Sequence, residues 1–132
     1  MKKYRICIEH ELHSRSSAII WNLISTAEGL SLWVADEVHL SDDTLTFIWG
    51  ELWRHHEIKE AKILEKIKNS YIRFKWKDDD DESSYTEIRM VRNDVTNDYI
   101  LVITDFTDED DHEQLEAIWS DNLVRLHHSS GL

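Results

Sequence analysis

Eight histidines, one cysteine and several acidic runs are the side chains of this 132-residue chain that could hold a metal, attack a substrate or move a proton. His10 and His13 lie three apart, His55-His56 and His127-His128 are adjacent pairs, and His39 and His112 stand alone. Neighbours on a strand face opposite sides, so His55 and His56 cannot share one ion. Neither HExxH nor CxxC spacing occurs, and no metal site is expected. The run Asp78-Asp79-Asp80-Asp81-Glu82 lacks EF-hand spacing and its turn glycine, and reads as a solvated hairpin tip. Asp108-Glu109-Asp110-Asp111 reads as the charged start of a helix. There is no GxSxG, Ser-Lys or Cys-His pattern, and Cys7 falls opposite the apolar series of its own strand. A paired-acid site needs ionisable groups on an inward face, for which Glu65 and Asp105 are the candidates. No catalytic residue and no cofactor is assigned, and the chain reads as a non-enzyme.

Composition narrows the class. A net charge of −12 argues against nucleic acid, which needs a basic footprint. The charge is unevenly placed: residues 54–77 carry +5 and residues 78–132 carry −13. Adjacent strands with complementary exposed faces would account for that split. No apolar run approaches the ~18 residues of a membrane span. The start has no secretory h-region and Cys7 has no partner for a disulfide, so a cytoplasmic location is expected. Proline is absent and only three glycines occur, which predicts a single domain over 1–132 without a flexible linker. The chain is expected to be a monomer or a dimer.

The elements that would position a site follow from periodicity. Tyr4, Ile6, Ile8 and Leu12 alternate with Arg5, Cys7, Glu9 and Glu11 as a half-buried strand. Ser14–Ser17 offers N-caps for a helix over Ala18–Ile24, and Thr26 caps a second short helix through Glu28 to Trp33, with Gly29 its weak point. Val38–Gly50 reads as the second strand, and residues 53–67 as a third with a bulge near Glu60, where the apolar phase shifts from Ile58 to Ala61, Ile63 and Ile67. Ile72, Phe74 and Trp76 mark the fourth strand, Thr86, Ile88 and Met90 the fifth. Residues 99–106 form the sixth, apolar on both faces and without a fixed phase. Thr107 and Asp110 approximate a capping box for a last helix carrying Leu115, Ile118, Trp119, Asn122, Leu123 and Leu126 on one stripe, closed by Gly131. The expected class is α+β: a six-stranded curved antiparallel sheet, two short helices after strand 1, and a long C-terminal helix across the concave face.

One helix covers such a sheet incompletely, and the space left over is the candidate site. Its expected lining is Trp33, Phe47, Trp49, Trp53, Ala61, Ile63, Phe74, Trp76, Ile88, Met90, Trp119 and Leu123. Aromatic walls with indole N–H groups suit an apolar small molecule or lipid; the same rings could instead fill the space as core.

This order of elements resembles the START-like (SRPBCC, helix-grip or Bet v 1-like) superfamily, most of all proteins of the Hsp90-ATPase-activator-homologue type. The resemblance rests on Trp33, on Phe47-Ile48-Trp49-Gly50, on Phe74-Lys75-Trp76, on Ile103 through Asp110 at the last helix, and on Trp119. It spans almost the whole chain, and its motifs identify a fold better than an activity. It implies an apolar cavity for lipids, sterols, hormones or polyketides. It also leaves open a protein-interaction or chaperone-accessory module, using Arg73, Lys75 and Lys77 as a charged face, and thirdly a cyclase- or hydrolase-like enzyme.

Overall fold

The computed structural model describes residues 3–50 and 56–132, with His56 described for its backbone alone. Trp53 and His55 lie outside the described residues. Strand β1 (Tyr4–Glu11) leads into helix α1 (Ser17–Ser25) and the short α2 (Ala27–Leu30). Six strands follow: β2 (Glu37–Ser41), β3 (Thr44–Gly50), β4 (His56–Ile67), β5 (Tyr71–Trp76), β6 (Thr86–Arg92) and β7 (Tyr99–Thr107). A 3-10 turn over Glu109–Asp111 then precedes helix α3 (His112–Ser130). The class is α+β, with an open antiparallel sheet and a long C-terminal helix. Among the described residues the sheet has seven strands in the order β1-β7-β6-β5-β4-β3-β2, with β1 and β2 at its edges.

The seventh strand corrects the expected count of six. Val38–Gly50 is a hairpin, not one strand, and it turns at Asp42-Asp43 with Ser41 opposite Thr44. Asp42 takes a φ of 54°, a left-handed conformation that Asp tolerates better than most residues. Ser-Asp-Asp-Thr between two apolar runs was the available signal.

The bulge is also displaced. Strands β3 and β4 pair without interruption from Thr44↔Lys62 to Gly50↔His56, and the register breaks between Ile63 and Glu65 on the β5 side. Odd positions of β4 therefore face inward as far as Ile63. Ile58, half exposed, is an apolar residue on the outer face and marks no change of phase.

Pairing fixes what sequence pattern could not fix in β7. Ile103 pairs with Ile88 and Leu101 with Met90, and cross-strand partners share a face. Leu101, Ile103 and Asp105 therefore point inward with Ile6, Leu45, Phe47, Ile72 and Phe74, and all of these are buried.

Capping explains where the helices begin and end. Ser16 accepts from Ile19 N at 3.3 Å to start α1, and Thr26 accepts from Gly29 N at 2.9 Å to start α2. Helix α2 stops at Leu30, earlier than expected, and turns carry the chain through Val34. The capping box expected at Thr107 and Asp110 does not form: the 3-10 turn takes those positions, and Asp111 caps α3 without a side-chain bond. Gly131 closes α3 with φ 78° and its N–H on His127 O at 2.8 Å.

Gly29 is required by packing. A Cβ there would lie 2.7 Å from Leu23 Cα and closer still to Asn22 O, both backbone atoms of α1. The absence of a side chain lets the two short helices touch.

Candidate functional site

A cavity of about 530 Å³ lies between the inner faces of β3–β5, β7 and one side of α3. Its apolar wall comprises Val34, Trp49, Phe74, Trp76, Leu115, Ile118 and Trp119. Its polar wall comprises Glu57, Lys59, Asp105, Asp121, Asn122 and Arg125. The strands present this wall because Trp49 pairs with Glu57, Phe47 with Lys59, and Ala61 with Trp76 in the ladder.

Four of the expected lining residues meet here: Trp49, Phe74, Trp76 and Trp119. Phe47 lies directly behind them, fully buried, with its ring 5.2 Å from Trp76, 5.5 Å from Phe74 and 5.9 Å from Trp49. Trp33 is also fully buried, 6.0 Å from Trp119, and spends its indole N–H on Leu23 O at 3.0 Å. Ala61, Ile88 and Met90 belong to the buried core, with Ile63 packed against it. Leu123 faces a different groove, between β1 and α3, beside Ile8, His10 and His127. Trp53 lies outside the described residues.

Asp105 is the buried ionisable group of the cavity. Trp119 Nε1 donates to its Oδ2 at 2.9 Å, Thr86 Oγ1 donates to Oδ1 at 2.8 Å, and its neighbour Phe106 N donates to Oδ1 at 2.9 Å. Burial pushes its carboxyl above the usual range, and the three donors and the nearby Lys59 only partly offset this. Glu65, the other acid singled out by sequence, sits on the outer face, about half exposed and 3.9 Å from Arg73.

Lys59 Nζ sits 4.4 Å over the Trp76 ring, a cation–π contact at the cavity wall. Arg125 Nη2 reaches across to Ala35 O at 3.2 Å and Asp36 Oδ1 at 3.5 Å. Trp49 Nε1 donates to Val34 O at 3.0 Å and so fixes the rim. Periodicity missed Glu57 and Lys59, because a strand reading looks for apolar residues at inward slots. The Lys59–Trp76 pairing has no local signature.

The outer face carries the complementary charge. Glu87 on β6 accepts from Arg73 Nη2 at 2.6 Å and from Arg89 Nε at 3.1 Å, while the two guanidinium groups stack on Tyr85 and Tyr71. Burial works against the charge of Glu87, but the bonds from Arg89 and Arg73 outweigh it and hold its carboxyl below the usual range. Lys75 donates to Asp81 O and Ser84, and Lys77 to Glu60 at 3.1 Å. The three cations expected to form a docking face are thus engaged by the chain itself.

Among the described residues no group of three metal-ligating side chains comes together, and no helix is long and apolar enough to cross a membrane.

A seven-stranded antiparallel sheet with a long C-terminal helix and a cavity beside it defines a class, and the sequence confirms it. The chain belongs to the START-like superfamily, whose domain model matches residues 1–131. Among solved structures it is similar to a Bacteroides fragilis protein determined by solution NMR: 41% identity, 97% of this chain and 91% of that one covered, TM-score 0.63. It shares its fold with the Aha1 dimer from Colwellia psychrerythraea: 16% identity, 99% and 98% covered, TM-score 0.70. It shares it also with a Nitrosomonas europaea protein: 10% identity, 94% and 92% covered, TM-score 0.73. No curated protein matches the sequence.

Proposed function

We propose that this protein binds an apolar small molecule or lipid in the cavity gripped between the sheet and α3, and does not transform it. The observation that carries the reading is the cavity itself. About 530 Å³ stays open beside Trp49, Trp76 and Trp119, although rings of that size could have closed it, and the volume lies in the range of small-molecule sites. A non-catalytic role is supported by Asp105, whose two oxygens are engaged by three donors and so are poorly placed to attack a substrate or take its proton. Native mass spectrometry of protein purified from its own host tests the reading. The expected result is a co-purifying apolar ligand; consistently ligand-free protein with no thermal shift against fatty acids and sterols overturns it.

The second reading, a protein-interaction or chaperone-accessory module, draws on the fold shared with the Aha1 dimer. Arg73, Lys75 and Lys77, already paired within the chain, favour it less. A pull-down unaffected by charge reversal at Arg73, Lys75 and Lys77 argues against that face.

A further inference from the structure

Inward positions of an antiparallel strand are ordinarily apolar when that face is covered. Three charged residues break the rule here, Glu57 and Lys59 on β4 and Asp105 on β7, and all three line the same cavity. Departures from local pattern that converge on one cavity point to a polar end on its occupant.

The three are not equivalent. Glu57 is exposed at the rim, as is Asp121 on α3. Asp105 is buried, and both its oxygens are already engaged. Lys59 is half-buried in the cavity wall, with the Trp76 ring against one side of its ammonium. Arg125, the other cation, is anchored on Ala35 O and Asp36. A cationic ligand would find the Trp76 face occupied by like charge. An anionic head would gain a charge-assisted bond to Lys59 within a partly desolvated wall.

We infer that the cavity is built for a single-chain carboxylate, its head on Lys59 and its apolar body against Trp49, Phe74, Trp76 and Trp119. This rests on the reading of the cavity as an apolar-ligand site and adds the chemistry of the head group.

Tryptophan fluorescence of the full chain at pH 7, titrated with dodecanoate, 1-dodecanol and dodecyltrimethylammonium below micellar concentrations, tests it. Dodecanoate is expected to bind about tenfold more tightly than dodecanol, and the ammonium most weakly. Lys59→Met is expected to abolish the preference by lowering dodecanoate affinity about tenfold, and Lys59→Arg to keep it. Equal binding of dodecanoate and dodecanol by the unmodified protein, a preference for the ammonium, or a preference that survives Lys59→Met overturns the head-group assignment alone. If none of the three probes binds, the apolar-ligand reading fails with it.

Discussion

Trp119 on α3 donates its indole N–H to Asp105 on β7 at 2.9 Å, and both side chains are buried. This bond ties the C-terminal helix to the sheet at the cavity wall, and the indole ring packs 6.0 Å from Trp33 on its other side. One residue thus serves the core and the site together.

Trp119→Phe keeps most of the apolar contact and deletes the donor, leaving Asp105 Oδ2 buried without it. An unsatisfied buried acceptor costs about 1–3 kcal/mol. Urea denaturation is expected to show a loss of that size, and a variant as stable as the parent would show that the bond contributes nothing.

Asp105 also predicts a pH dependence. Its carboxyl is raised in the folded state by burial, so between the unfolded value near ~3.9 and the folded one the native protein holds more protons. Its contribution to stability therefore falls as pH rises through that window. The stability of the unmodified protein minus that of Asp105→Asn is expected to shrink from pH 4 upward. Asn offers fewer acceptors to Trp119 and Phe106, so the slope and not the offset is diagnostic; a difference that grew with pH would contradict the raised value.

Glu87 predicts the opposite sign. Its folded carboxyl is held below the ordinary value near ~4.3, so its stabilisation is complete above that pH and is lost as pH falls through the folded value. Glu87→Gln removes the charge that both Arg73 and Arg89 share, at a cost of about 2 kcal/mol at pH 7. Urea midpoints at pH 7 and pH 2 are expected to show that cost at the first and little of it at the second.

Gly29→Ala is a small change with a large expected effect. The added methyl meets the α1 backbone at Asn22 and Leu23, which cannot rotate away as a side chain would. Overpacking of this kind costs typically about 1–3 kcal/mol, and contact with rigid α1 backbone places it at the upper end. A thermal midpoint within a degree of the parent would show that the helices separate freely.

Much of this molecule is legible along the chain. The alternation of Ile72, Phe74 and Trp76, the caps at Ser16 and Thr26, and the stop at Gly131 are local matters, set by side-chain period and by hydrogen bonds a few residues long. The Ser41–Thr44 turn was equally local but hidden, because the apolar runs on either side join into one plausible strand. Aromatic positions were enough to indicate the family, since they mark the covered face.

The site was legible in part. Trp49, Phe74, Trp76 and Trp119 announce an apolar wall, but no window of sequence says whether such rings close a space or border it. That depends on where α3 rests over the sheet, a long-range outcome of Trp119 meeting Asp105 and Trp33. The polar wall was decided by register alone. A strand slipped by one residue would turn Lys59 and Asp105 outward, and only the pairing of β4 with β3 and of β7 with β6 puts both charges in one cavity.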